Sequence, residues 1–320
     1  MTLVDRYISY VSAVRRYSVR TQEVYADILK RFVGYSCQSD SDDDILARLT
    51  PDGIRNYEVW LLDSEKLGPR TVNLHLSVIS GFCRFLSGEG LLRSNPVRMV
   101  TRPKTSKRLP VVYRKDSMEK YFNDTQCFGN DSNTELIIGD DKVSMDLWRR
   151  RRDRLVLRIL YDTGIRRSEL IGLDVSSADF SRHVIRVHGK GNKIREIPLT
   201  DVLSEEILLY LQVTALILGR ERLPSEPLIV TEKGARMYPV AIQRIVEAEL
   251  KTVGITGRKS PHALRHTLAT ELLDDGADLN SIKELLGHSS LAATQVYTHT
   301  SVEKLKQSYI NAHPRAKRGG

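Results

Sequence analysis

The sequence predicts a mainly α-helical protein with a small β-hairpin, split into a helical first domain and a mixed α/β second domain. Three observations predict it. Apolar residues recur at spacings of three and four through much of the chain. Two short segments rich in branched residues, 184–187 and 194–199, flank a turn of glycines and lysines. The 320 residues suffice for about two domains of ordinary size.

The first domain is expected over residues 1–100. Across 11–32, Val14, Tyr17, Val24, Tyr25, Ile28, Leu29 and Phe32 form one apolar stripe, predicting a helix that begins near Thr21 with Ser18 or Arg20 close to its start. The polar stretch 36–44 (SCQSDSDDD) is expected to be a loop. Thr50-Pro51-Asp52 reads as a helix start, with Thr50 as N-cap and Pro51 in the first turn, and Ile54, Tyr57, Trp60 and Leu61 continue its inner face. Gly68-Pro69 interrupts the chain, and Val72, Leu76, Ile79, Phe82, Cys83 and Phe85 mark another helix over 71–86. Gly88, Gly90 and Asn95-Pro96 close this set of four or so amphipathic helices.

Residues 101–110 (TRPKTSKRLP) carry Arg102, Lys104, Lys107 and Arg108, two prolines and no acid. They read as a basic linker, with a strap along a nucleic-acid backbone as the functional alternative. The second domain is expected over 111–320. In it, 127–141 (CFGNDSNTELIIGDD) reads as a loop or small hairpin. A helix is predicted over 147–160 with Leu155, Val156, Ile159 and Leu160 facing inward, and the string Arg149-Arg150-Arg151-Arg152 as its solvated face. The strands at 184–187 and 194–199 make a β-hairpin whose basic tip is Gly189-Lys190-Gly191-Asn192-Lys193. The last third returns to helix.

Composition narrows the function classes. Lys and Arg number 49 against 40 Asp and Glu, a net charge of +9 at pH 7, which suits a polyanionic partner. No apolar run approaches the roughly 18 residues of a membrane span. The N-terminal segment MTLVDRYISYVSAVRR mixes charges with apolar residues and lacks a signal-peptide core. The three cysteines, Cys37, Cys83 and Cys127, are far apart and form neither a disulfide framework nor a zinc ribbon. A reducing, cytoplasmic setting is therefore expected.

Four segments of the second domain carry chemistry: Thr163 to Leu170 (TGIRRSEL), the tip with Lys190, Pro261 to His266 (PHALRH), and Leu286-Gly287-His288-Ser289 with Tyr297 nine positions after His288. Taken singly, each has a structural explanation. Arg166 could follow a glycine helix end and pair with Glu169. Lys190 could be an exposed turn lysine, His288 a helix cap and Tyr297 a buried aromatic. His262 and His266 have the spacing of a helical metal pair, but no Glu stands at 263 and no third ligand is evident.

Together, the set fits phosphodiester transesterification without a metal. Guanidinium groups bind two non-bridging oxygens at once and stay charged at any relevant pH, so two of them can stabilise the charge that develops on phosphorus. A lysine can protonate the leaving 5′ oxygen. A tyrosine, with a reference pKa of about 10, becomes a nucleophile with help from a histidine and neighbouring cations.

The order T-G-x-R-x-S-E-L, G-K-G-x-K, H-x-L-R-H, L-G-H-S and Y-T-H resembles the tyrosine recombinase (phage integrase) family, and within it the Xer recombinases. The resemblance implies Arg166 and Arg265 as catalytic arginines, Lys190 as general acid, His262 and His288 as the histidine positions and Tyr297 as nucleophile. It implies support of Arg166 by Glu169, and no metal or other cofactor. Ser18-x-x-Thr21-x-x-x-Tyr25 and Asn95-Pro96 are fainter echoes of the family's SAM-like core-binding domain. The implied architecture is a C-shaped DNA clamp, with a core-binding domain, the basic linker and a catalytic domain. The implied partners are a double-stranded recombination site, three further protomers in a homotetramer or a heterotetramer with a second recombinase, and a DNA translocase as activator.

Two departures from the family pattern stand out. Segment 125–147 is longer than in compact Xer proteins and is expected to add a surface excursion. Arg167 adds a cation beside Arg166, with a supporting ion pair as its expected role. The helix expected over 301–311, carrying Val302, Leu305 and Ile310, is by resemblance a segment that docks on a neighbouring protomer, and 317–320 is expected to be disordered. An integrase of a phage, plasmid or transposon, a type IB topoisomerase and a non-enzymatic DNA-binding regulator are the competing functions.

Overall fold

The computed structural model describes residues 1–37, 41–105, 111–125, 145–189, 193–255, 257 and 259–287. It divides into two compact units, Met1–Arg108 and Leu109–Gly320.

The first unit is built of helices with locally encoded ends. Helix α1 (Leu3–Ala13) starts from a reciprocal cap between Thr2 and Asp5, and buries Leu3, Val4, Tyr7 and Val11. The single stripe expected over 11–32 is in fact interrupted. Val11 belongs to α1, Val14 is 64% exposed, and Arg16 turns the chain at a φ of +49°. Helix α2 (Val19–Ser36) begins two residues before Thr21, with Ser18 accepting the Thr21 N–H as N-cap. The loop expected over 36–44 is also revised. Ser36 is the last residue of α2, and Ser41 caps helix α3 (Asp42–Arg48). Asp42, Asp43 and Asp44 occupy the first turn, where negative charge meets the positive end of the helix dipole.

Helix α4 (Pro51–Asp63) starts as expected, with Thr50 accepting the Gly53 N–H at 3.1 Å and Pro51 in the first turn. Helix α5 (Pro69–Gly88) starts at the Gly68-Pro69 interruption and buries Val72, Leu76, Ile79, Phe82 and Cys83. These side chains join Leu29, Phe32, Ile54, Tyr57 and Leu61 in one core. Within it, Tyr57 Oη pairs with His75 Nδ1 at 2.9 Å, and burial with the nearby Arg31 holds His75 below its ordinary pKa. Asn95 ties the following 3₁₀ turn (Pro96–Met99) to α5 through Ser80. The start of the basic run also rests on α5. Asn73 Nδ2 donates to the Pro103 carbonyl at 2.9 Å, and Arg102 donates to Ser77 Oγ at 2.8 Å.

In the second unit, helix α6 (Lys115–Asp124) leads to α7 (Met145–Thr163), which runs through the core with Trp148, Leu155, Val156, Leu157, Ile159 and Leu160 buried. Short helix α8 (Arg167–Ile171) follows a sharp exit at Gly164. Strands β1 (Ala178–Asp179), β2 (Val184–His188) and β3 (Ile194–Pro198) form an antiparallel sheet in that order, with Val187 opposite Arg195. The expected hairpin is therefore present, joined by a third short strand. Helices α9 (Asp201–Leu218), α10 (Pro239–Thr252) and α11 (Pro261–Asp274) pack on α7, and α12 (Leu279–Leu286) packs on α11. No helix among the described residues is long and apolar enough to cross a membrane.

The string 149–152 is not a solvated face throughout. Arg150 is exposed and Arg149 partly so, pairing with Asp146 and Glu232, whereas Arg151 is buried and the Arg152 guanidinium lies 5.0 Å from the centre of the Trp148 ring. The helical twist turns Arg151, Arg154 and Arg158 to one side. There Glu206 accepts from Arg154 and Arg158, each at 2.7 Å, and Asp162 accepts from Arg158 at 3.1 Å. The expected loop or hairpin at 127–141, most of the excursion at 125–147, the helix at 301–311 and the tail at 317–320 lie outside the described residues.

Candidate active site

Two residue-level devices set the position of Arg166. Thr163 ends α7 with its hydroxyl on the Ile159 carbonyl, and Gly164 then takes a left-handed φ of +62°. A Cβ on Gly164 would lie 2.6 Å from Leu286 Cδ2 and 2.8 Å from Leu268 Cδ2, so both conformation and space favour glycine here. The chain reaches Arg166 in an extended conformation, and Glu169 reaches back to accept the Arg166 backbone N–H at 2.8 Å. The other Glu169 oxygen accepts from Arg166 Nη1, also at 2.8 Å. The pairing of Arg166 with Glu169 thus holds.

Helix α11 supplies His262 and Arg265. Ser260 caps it by accepting the Ala263 N–H, and Tyr113 Oη accepts the Ser260 N–H at 3.2 Å, which fixes the helix start from the beginning of the unit. Arg265 is 5% exposed. Its Nη1 donates to the Gly164 carbonyl at 2.9 Å and its Nη2 donates to the Leu286 carbonyl. Burial and the proximity of Arg166 push its pKa down to about 10, so it remains a cation at neutral pH. His262 lies exposed in the first turn of α11, its ring 5.0 Å from that of His266 and nearly perpendicular to it.

A third arginine, Arg195 of β3, completes the arrangement and belongs to none of the sequence motifs. Its Nη1 and Nη2 donate to the two Glu169 oxygens at 3.0 and 2.8 Å, and its Nε donates to the Leu285 carbonyl at 2.9 Å. Arg166 Nη2 donates to the Gly287 carbonyl at 3.1 Å. Three guanidinium groups therefore meet three successive carbonyls at the C-terminus of α12, where a helix leaves acceptors unpaired and its dipole is negative. Burial alone would raise the Glu169 pKa; hydrogen bonds from Arg195 and Arg166 outweigh it and hold the carboxylate at about 2.

Arg166, at the cap before α8, and Arg265 of α11 are thus brought together. Lys190, His288 and Tyr297 lie outside the described residues. Their described neighbours bear on the same place: Gly287, which precedes His288, accepts from Arg166, and a Cβ built on Gly189, which precedes Lys190, would be 4.0 Å from Glu169 Oε1. Arg167 makes no ion pair among the described residues; its guanidinium donates to the Pro239 carbonyl at 3.3 Å. Arg195 was legible in sequence only as an alternating strand residue, with no motif to single it out.

The model of the phage integrase family matches residues 145–304, and that of the phage integrase N-terminal SAM-like domain matches residues 4–90. The chain is 32% identical to the tyrosine recombinase XerC of Chlorobaculum parvum, over 98% of this chain and 94% of the relative. It is 33% identical to the tyrosine recombinase XerC of Haemophilus influenzae strain PittEE, over 99% of both. Its fold matches the XerH site-specific recombinase in a post-cleavage complex with a palindromic difH substrate, with a TM-score of 0.66 and 21% identity, over 95% of this chain and 82% of that one. A λ integrase (75–356) dimer bound to a COC′ core site matches with a TM-score of 0.61 and 18% identity, over 92% and 97%. The chain belongs to the phage integrase family. It is a tyrosine site-specific recombinase of the Xer type.

Proposed function

We propose that this protein cuts and rejoins duplex DNA through a tyrosine–DNA ester, with Arg166, Lys190, His262, Arg265, His288 and Tyr297 as its catalytic residues. The Tyr297 oxygen attacks the scissile phosphorus, a 3′-phosphotyrosine forms, and the bond to the 5′ oxygen breaks. Lys190 donates the proton that the 5′ oxygen takes up, and His262 assists proton transfer from the phenol. Arg166, Arg265 and His288 stabilise the charge on the non-bridging oxygens. The freed 5′-hydroxyl of a partner duplex attacks the ester, releases Tyr297 and reseals the strand without an external energy source. Two such rounds form and resolve a Holliday junction.

The observation that carries this reading is the convergence of Arg166 and Arg265 on the end of α12, one residue before His288. Among the described residues, three guanidiniums share this place with one carboxylate, Glu169, and that carboxylate is already held by Arg195 and Arg166. The surplus of positive charge suits a phosphodiester whose negative charge grows as phosphorus becomes five-coordinate. Arg166, with a side chain 40% exposed, is open to such a ligand.

The first helical unit is the core-binding domain in this reading, and the basic run 101–110 is the link to the catalytic domain. The partners are a double-stranded recombination site and further protomers, as a homotetramer or with a second recombinase, under control of a DNA translocase in the cytoplasm. The biological role is resolution of chromosome or plasmid dimers, supported by the XerC relatives that match along nearly the whole chain. The test is covalent trapping on a nicked suicide duplex. Tyr297→Phe is expected to bind the duplex as the wild type does and to form no denaturation-resistant adduct; an adduct in that variant would remove Tyr297 as nucleophile.

A further inference from the structure

Arg195 stands five residues past Lys190, at the second position of β3, with its side chain 7% exposed. Its fork covers both oxygens of Glu169, and its Nε reaches across to the Leu285 carbonyl of α12. The end of α12 is shaped around it. A Cβ on Gly287 would lie 3.1 Å from Arg195 Nη1 and 3.3 Å from its Cζ, and Gly287 holds a φ of +65°. Two chains of contact leave this guanidinium. One passes through Glu169 to the backbone and side chain of Arg166. The other passes through the terminal carbonyls of α12 to the residue before His288.

We infer that Arg195 is a positioning residue for strand cleavage. It sets Arg166 through Glu169, and sets the segment entering His288 through α12, both from the strand that follows the Lys190 turn. The inference rests on the cleavage reading given above. It requires the geometry of arginine and not only its charge. A lysine ammonium cannot make the parallel pair of bonds to a carboxylate while also reaching a carbonyl on another helix.

The experiment is single-turnover adduct formation on nicked duplexes that the wild-type protein has selected by binding from a randomised pool. Arg195→Lys, Arg195→Met, Glu169→Gln and the double variant Arg195→Lys/Glu169→Gln are compared with the wild type. Arg195→Lys is expected to bind the duplex with unchanged affinity and to cleave on the order of 100-fold more slowly, the loss expected when a reacting group is misplaced by about 1 Å. The double variant should be little slower than the slower single variant, because both substitutions break the same contact. The Arg195→Met rate should fall with acid at a higher pH than the wild-type rate does, since Glu169 then loses the partner that opposes its burial and its pKa rises. A purely structural role would lower the folded fraction and leave the shape of that pH profile unchanged.

Wild-type cleavage by Arg195→Lys, or fully additive losses in the double variant, would overturn the inference. Should Arg195→Met fail to fold, the lysine variant decides alone. Failure of the wild type itself to form an adduct on any selected duplex would instead sink the cleavage reading, so the two failures are distinguishable.

Discussion

Arg265 donates from Nη1 to the Gly164 carbonyl at 2.9 Å, joining the helix that carries one candidate catalytic arginine to the turn that precedes the other. Gly164 in turn lies close to Leu268, Leu286 and the Arg265 side chain. The Gly164 carbonyl is thus one of the contacts that tie the Arg265 helix to the turn before Arg166.

Gly164→Ala should destabilise the second unit by about 2–4 kcal/mol, combining a left-handed conformation costly to alanine with crowding of two leucine side chains. The crowded atoms are the ends of flexible side chains, which places the crowding part at its lower end. Urea denaturation followed by circular dichroism measures it, and a midpoint equal to the wild type would show that the turn relaxes freely.

Glu169 should make stability depend on acid pH. Its folded pKa of about 2 is depressed from an ordinary 4.5, so its contribution is complete above the unfolded value and is lost as pH falls from about 4.5 through about 2. The shift corresponds to a contribution on the order of 3 kcal/mol. Glu169→Gln should therefore be much less stable than the wild type at neutral pH, with the gap narrowing across that acid window. A gap independent of pH would mean that the carboxylate charge is not what holds Arg195 and Arg166.

Lys190→Ala should slow cleavage at an ordinary 5′ oxygen, while a substrate with sulfur at the bridging 5′ position should restore the rate. A thiolate leaves without a proton, so rescue reports the general acid specifically. Equal defects on both substrates would give Lys190 a binding role instead.

Asn73→Ala should expose the start of the basic run. Asn73 Nδ2 holds the Pro103 carbonyl, and its loss leaves Arg102 as the residue that joins that segment to α5, through Ser77 Oγ and the Asn73 backbone carbonyl. Limited digestion with trypsin should cut faster after Lys104 in the variant, with the rest of the first unit unchanged; an unaltered cutting rate would show that the Arg102 contacts suffice.

Much of the secondary structure was legible because its signals are local. Thr50 with Pro51, Gly68 with Pro69 and the apolar spacing of α5 each act within one or two helical turns. The hairpin was legible for the same reason, as alternation on both sides of a glycine-rich turn. Three readings failed where the deciding contact was less obvious or more distant. The acidic run 42–44 looks like loop composition, yet Ser41 and the helix dipole make it a first turn. The stripe over 11–32 hid a reversal at Arg16. Arg151 and Arg152 look like surface charges until Trp148 and the helical twist turn them inward.

The sequence by itself put forward the candidate side chains: its ordered motifs single out two arginines, a lysine, two histidines and a tyrosine, the types that a metal-free reaction at phosphorus would use. Tertiary structure alone decided how the described part of that set is held. Glu169, Arg195 and the bare carbonyls of Leu285, Leu286 and Gly287 come from three distant stretches. A helix end satisfies its orphan acceptors with whatever donors the fold carries to it, and no local pattern records which donors those will be.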